Sequence, residues 1–235
     1  MSVTPQDSQG RLTEWPPLAF LIPSYKTPAM CAELLCTAHK AGIYTGCSFV
    51  LLLDTSDPSL SAYKACVMNL HEDGMDVGYV VSDGATYAGM VNRVAHVIAA
   101  QTVCVIDNKH LPMPKSGTMT DTIRGWLSGT LEVMRVGVFD ETHSYPVLTR
   151  KMVERLGYVV HPLCAGRMEA EDWVVSVAAN IGVASVIPDC IVAESNVDGV
   201  ELIGYSDDES VKRTIGVLRG FMADECVRLR SHVIQ

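Results

Sequence analysis

Much is missing from this chain of 235 residues, and each absence closes off a class of protein. No apolar run approaches 18 residues, so no membrane-spanning helix is expected. The opening stretch, MSVTPQDSQGRLTEW, has no charged start followed by an apolar block, so it does not read as a secretory signal. The eight cysteines, Cys31, Cys36, Cys47, Cys66, Cys104, Cys164, Cys190 and Cys226, include no CxxC pair, which removes zinc spacing and a local thiol-nucleophile signature. Several sit inside apolar runs, where a free cysteine behaves as a small hydrophobe. A reducing, cytoplasmic compartment is the expectation. Positive charge is also short: 18 Lys and Arg face 27 Asp and Glu, a formal net charge of −9. Phosphate backbones need clustered cations, so long nucleic-acid contacts are disfavoured, while a local site for a small anion is not. No GxGxxG follows the first apolar run and no GxxxxGK[ST] occurs, so the two commonest phosphate loops lose their support. There is no internal repeat and no low-complexity segment.

What is present is a core-forming chain, 48% apolar, long enough for one large domain with an appendage. Residues 1–17 read as a loose polar leader. Leu18–Ile22, closed by Pro23, reads as a buried first strand. Lys26–Ala41 carries Met30, Leu34, Leu35 and Ala38 at helical spacing, starts at Thr27-Pro28 and stops at Gly42. SFVLLLD (48–54) is a continuous apolar run, as in a strand buried on both faces of a parallel sheet. A helix to about Leu70, a strand at 77–83, a helix over Tyr87–Ala100 and a strand at Thr102–Ile106 follow. This alternation predicts a doubly wound α/β domain. In the second half the spacing predicts a loop at 110–119, a helix over 121–129, a strand over 131–140 and a helix over Pro146–Leu156 stopped by Gly157. A loop bearing Glu169, Glu171 and Asp172, a helix over Trp173–Ile181 and a strand over Ala184–Ile187 complete it. The tail from about Asp207 is acidic, then helical. One face bears Val211, Ile215, Leu218, Phe221 and Met222, the other Lys212, Arg213, Arg219, Arg228 and Arg230, a face that solvated charge explains by default.

The focal stretch is VCVIDNKH (103–110), an apolar strand that ends abruptly in an acid, an amide, a base and an imidazole. In open α/β sheets, ligands bind beyond the carboxyl ends of strands. Taken alone, Asp107-Asn108 reads more simply as a turn. Four other patterns fall in order around it. They are LIPSY after the first strand, LLLDTSD after the second, Gly84 through Asn92-Arg93 at a helix start, and Glu171-Asp172-Trp173 before a late helix.

Together these five patterns resemble the family-2-type glycosyltransferases of the GT-A fold over roughly residues 18–195. The resemblance implies an α/β, GT-A-like single domain, a mostly parallel sheet flanked by helices with a C-terminal helical tail. Its nucleotide-binding half would be 18–110, its acceptor half 111–200 and the extension 201–235. It implies transfer of a sugar from a nucleotide-diphospho-sugar, a UDP-sugar, to an acceptor hydroxyl with inversion. The nucleotide contacts it implies are Pro23, Tyr25, Asp54, Asn92, Arg93, Asp107 and Lys109. Tyr25 would stack on the base, Asp54 would accept from uracil or ribose, and Arg93 would reach phosphate. Asp172, with Glu171 second, would be the general base. Each has a plainer reading: a strand-end tyrosine, a helix cap by Ser56 or Asp57, a solvated arginine, and acids that favour a helix N-terminus.

One position departs. Lys109 stands where the family's second metal-binding acid belongs. Asp107 could still hold Mg²⁺ or Mn²⁺ with water, diphosphate and His110 or a later carboxylate such as Glu194. Alternatively, Lys109 supplies the positive charge itself. A catalytically degraded nucleotide-binding or scaffolding protein of the same fold is the second reading. A nucleotidyltransferase ranks last, because the Gly-rich basic loop it needs after the first strand is missing. The acceptor stays open among a glycan, a lipid-linked group, a protein and a modified nucleic-acid base. His161-Pro162 reads as packing and His143 as exposed.

Overall fold

The computed structural model describes residues 17–83, 86–127, 134–139, 145–162, 164 and 167–194, with the side chains of 167–172 and 193–194 outside the description. The expected leader (except Pro17), the tail from 201 and His143 lie outside it. The elements in chain order are β1 (Leu18–Ser24), α1 (Pro28–Ala41), β2 (Ser48–Asp54), α2 (Leu60–Glu72), β3 (Val77–Ser82), α3 (Tyr87–Val97), β4 (Thr102–Val105), β5 (His110–Pro114), α4 (Met119–Leu127), β6 (Val136–Val138), β7 (Pro146–Thr149), α5 (Arg150–Leu156), α6 (Arg167–Asn180), β8 (Ala184–Val186) and β9 (Cys190–Glu194). Seven strands form one sheet in the order β3-β2-β1-β4-β7-β6-β8, and β5 pairs with β9 in a separate ribbon. β1 to β4 are mutually parallel. β7 is antiparallel to both β4 and β6, and β8 is parallel to β6. The result is the expected mostly parallel sheet with helices on both faces.

Strand alternation sorts the core into two layers. Leu18, Phe20, Ile22, Phe49, Leu51, Leu53, Cys104 and Ile106 pack under α1, α2 and α4. Leu21, Leu52, Val103, Val105 and Leu148 pack under α3, α5 and α6. The cysteines behave as core: among the described residues all are free, and burial pushes the Cys31 and Cys47 thiols up to about 12. Helix ends follow local chemistry. Gly42 closes α1 at φ 66°, a conformation that favours glycine, and its N–H donates to the His39 carbonyl. Thr86 caps α3 by accepting from Gly89 N. At the other end of α3, the Arg150 guanidinium donates to the Ala95, Ile98 and Ala100 carbonyls. A cation there satisfies acceptors the helix cannot, and α3 ends at Val97, before the expected Ala100.

Three second-half expectations are corrected. Pro146–Leu156 is not one helix. Its first four residues are β7, with Val147 in one core layer and Leu148 in the other, and only Arg150–Leu156 is helical. A short apolar run does not reveal its period, and proline is tolerated at a strand's first residue. Thr149 marks the switch, since its hydroxyl accepts from Met152 N. The 110–119 stretch is not all loop, because His110–Pro114 pairs with β9, which the sequence reading missed. Lys115 N donates to the Asp189 carbonyl at the ribbon's end. By alternation, Pro112 and Pro114 therefore turn their backbones away from β9, where no N–H is needed. The Pro112 carbonyl takes the Tyr44 hydroxyl instead, at 2.7 Å. Lastly, α6 begins at Arg167, so Glu169, Glu171 and Asp172 lie in its opening turns, not in a loop ahead of it.

Candidate active site

Four strands end at one rim, and the chain beyond each is tied to its neighbours. The loop after β1 is held by the loop after β2: Asp57, 3% exposed, accepts from Lys26 N at 2.6 Å and from Ser59 N at 2.8 Å. Lys26 sits at φ 57°, a left-handed conformation that costs a non-glycine residue energy, and the Asp57 carboxylate fixes it there. The same loop is held from α2, since Thr27 N donates to the Tyr63 hydroxyl at 2.8 Å. Burial raises the Tyr63 phenol, so it stays protonated as donor and acceptor. The loop after β4 joins them, with Asn108 Nδ2 donating to Thr27 Oγ1 at 2.5 Å. Loops after β1, β2 and β4 therefore form one connected hydrogen-bonded rim.

Five of the seven expected nucleotide residues, Pro23, Tyr25, Asp54, Asp107 and Lys109, sit on that rim. Pro23 occupies the penultimate position of β1, and Tyr25 follows, about half exposed at 49%, with the Lys26 Nζ 4.9 Å from its ring centroid. Asp54 ends β2 and accepts from Ser56 N. Continuing the alternation of the strands puts Pro23, Asp54 and Asp107 on the sheet face covered by α3 and α6. Asp107 is partly buried. Its Oδ1 accepts from Lys109 N and His110 N, and His110 Nδ1 lies 3.0 and 2.9 Å from the two carboxylate oxygens. The carboxylate thus orders its own turn and orients the imidazole, which also leans on the Tyr145 ring. His110 is in turn the register partner of Glu194, so the β5–β9 ribbon brings residue 194 beside this turn.

A carboxylate beside an imidazole is a donor pair for a divalent cation of the Mn²⁺ type. Among the described residues no group of three His, Cys, Asp or Glu gathers around one point. A cation held by Asp107 and His110 would fill its remaining positions from phosphate oxygens and water.

The topology directs the helix that carries the acidic pair toward the same edge of the sheet. β8 runs in the direction of β1–β4, because it is parallel to β6 and β6 reverses β7. α6 enters β8 through a tight turn in which Gly182 N and Val183 N donate to the Ala179 and Ala178 carbonyls. The last turn of α6 is therefore at the strands' amino edge. Its first turns, about 20 Å back along the axis, return toward the carboxyl edge. Glu171 and Asp172 lie nine and eight residues before the end of α6, about 12–14 Å along it toward that edge. Trp173 anchors this end of the helix, buried, with its indole N–H donating to the Tyr158 hydroxyl at 3.1 Å and the His161 ring 4.8 Å away. The packing reading of His161 holds.

Asn92 is expected among the nucleotide contacts, yet its amide is engaged elsewhere. Oδ1 accepts from Val159 N and Val160 N, and Nδ2 donates to the Val160 carbonyl at 2.6 Å. It braces the segment that carries Tyr158 and His161 to Trp173. Arg93 is exposed on α3. Sequence reasoning missed Asp57, Thr27 and Asn108 as the residues that join the loops. The DTSDPS run held the signal for Asp57, since an Asp two residues before a Ser is a common turn acceptor. Nothing local marked the other two, whose partners are 36 to 81 positions away.

No protein-family model matches the sequence, and no curated protein matches it significantly. The fold does have solved counterparts. A mannosyltransferase from Pyrobaculum calidifontis, in complex with GDP-Man and Mn²⁺, superposes with a TM-score of 0.56 at 14% identity, over 93% of this chain and 75% of that one. S. aureus TarS 1-349 in complex with UDP-GlcNAc gives 0.59 at 12%, over 91% and 72%. The chain covers only 43% of a longer TarS structure. Glucosyl-3-phosphoglycerate synthase from Mycobacterium tuberculosis, with Mg²⁺ and UDP, gives 0.52 at 12%, over 86% and 79%. The architecture is the GT-A fold of nucleotide-sugar glycosyltransferases.

Proposed function

We propose that this chain transfers a sugar from a nucleotide-diphospho-sugar, a UDP-sugar, to an acceptor hydroxyl with inversion at the anomeric carbon. The observation that carries the reading is the single hydrogen-bonded rim formed by the loops after β1, β2 and β4. Tyr25 stacks on the base, Pro23 shapes the turn beneath it, and Asp54 accepts from the nucleoside. Lys109 and Arg93 meet the diphosphate. Asp107, with His110 beside it, would hold a divalent cation, which when bound neutralises charge on the departing diphosphate. Asp172, with Glu171 second, takes the acceptor's proton as the acceptor oxygen bonds to the anomeric carbon. The bond from that carbon to the diphosphate breaks, and the nucleoside diphosphate leaves with its electron pair. The acceptor is a glycan, a lipid-linked group, a protein or a modified base. Among the described residues no helix is long and apolar enough to cross a membrane, so a lipid-linked acceptor would be reached by peripheral docking. The cysteine usage supports a cytoplasmic setting.

The test is Asp172→Asn. Sugar transfer should fall by about a thousandfold while UDP binding stays at the wild-type level; full turnover in that variant rejects Asp172 as the base. A second reading, a nucleotide-binding protein of the same fold without catalysis, is favoured by Lys109 at the second acid position. Calorimetry with UDP, with and without Mn²⁺, separates the two when paired with a transfer assay. Binding without transfer or sugar hydrolysis selects the second.

A further inference from the structure

One polar atom at this rim has no partner. Among the described residues, the Ser82 hydroxyl is the buried side-chain oxygen left without a hydrogen bond, in a residue only 4% exposed. Its place in the fold is specific. Ser82 is the last residue of β3 and the register partner of Asp54. Neighbouring strands lie about 4.8 Å apart, so the hydroxyl stands one strand away from the carboxylate. Alternation turns both side chains to the face covered by α3 and α6. The neighbouring groups are already used: Thr55 N donates to the Ser82 carbonyl, and the Thr55 hydroxyl donates to the Asp83 carboxylate. Folding alone gives no reason to bury a hydroxyl unsatisfied, because an orphaned polar group is destabilising and alanine would fit the same space. A serine turns its hydroxyl among three staggered positions about one bond, so it can meet a partner arriving at Asp54.

We infer that Ser82 is a nucleoside-contacting residue whose hydroxyl is satisfied by the donor. This rests on the reading of the rim as a donor site and adds a residue that none of the five sequence patterns contains. The pair has a defined chemistry, with a carboxylate that only accepts next to a hydroxyl that donates. It fits a base edge where an N–H adjoins a carbonyl, as in the uracil imide. The N–H goes to Asp54 and the carbonyl takes the Ser82 O–H.

The test is Ser82→Ala, read in two measurements that move in opposite directions. Thermal melting of the ligand-free protein should be unchanged or rise by a few degrees, since the orphan is gone. UDP affinity by calorimetry should fall about tenfold, the size of one buried hydrogen bond. Inorganic pyrophosphate, which has no nucleoside, should bind both proteins alike. Unchanged UDP affinity in the variant overturns the inference and leaves the donor reading standing; a buried water then satisfies the hydroxyl. A drop in melting temperature together with weaker binding of both ligands also overturns it, as a packing role. A wild-type protein that binds no UDP removes the donor reading itself, and this inference with it. Ser82→Cys, similar in size but a weak donor, should fall between the two.

Discussion

The rim after β1, β2 and β4, the proposed donor side, and the segment before α6, the proposed acceptor side, are held together by different means. On the donor side, loops after three adjacent parallel strands tie to one another through Asp57, Thr27 and Asn108. On the acceptor side, the described ties of the 158–161 segment run to other elements: to Asn92 on α3 and to Trp173 on α6. The first arrangement makes a rim that is rigid as a unit. The second makes a segment whose position depends on two helices, and so on how the sheet packs beneath them. An α/β protein built this way can fix where one ligand sits and still let the other half vary.

That contrast can be broken in graded steps. The largest effect falls on chemistry. Asp172→Asn should remove about three orders of magnitude of turnover and leave nucleotide affinity untouched, measured by transfer assay and calorimetry side by side. Next is the donor rim. Asp57→Ala strips two part-buried N–H groups of their acceptor and releases the strained Lys26. It should cost about 3 kcal/mol in urea unfolding and weaken UDP binding as well. Asn92→Ala should cost about 2 kcal/mol and open the acceptor segment only. Hydrogen exchange at Val159 and Val160 should accelerate, with UDP affinity near wild type; a large loss of UDP affinity would instead return Asn92 to the nucleotide. The smallest effect tests the sheet under the acceptor side. A Cβ at Gly137 would lie 2.7 Å from Ile187 Cγ1 and 2.8 Å from Trp126 Cζ2. Gly137→Ala should therefore cost about 1–2 kcal/mol through overpacking, without changing donor affinity.

The same contrast explains what could be read in the sequence. The donor side is a run of parallel strands whose apolar blocks end in polar residues, so both the elements and the rim were legible at β1, β2 and β4. Pro146–Leu156 defeated the reading because a four-residue strand and a two-turn helix abut with no Gly or Pro between them. Residues 110–114 looked like loop because two prolines disguise a ribbon strand whose missing N–H groups face away from its partner. The start of α6 was misplaced because acids suit a helix's opening turns as well as a loop before it. Asn92 was legible as a residue of interest, but its bonds to the backbone of Val159 and Val160 were not, since these partners lie 67 and 68 positions downstream. The unsatisfied hydroxyl of Ser82 has no sequence signature at all; it exists only as a relation between β3 and β2.

The left-handed backbone at Lys26 has a kinetic corollary. A flexible turn beside Tyr25 would have to be frozen each time a ligand arrived, and that ordering would be charged against affinity at every encounter. Here Asp57 has set the Lys26 backbone during folding, so the turn beside the aromatic ring is already made. Capture should then be a single diffusive step, with one association phase in stopped-flow mixing. Replacing Lys26 by glycine, which tolerates the conformation but does not enforce it, should slow that step and leave its end state unchanged.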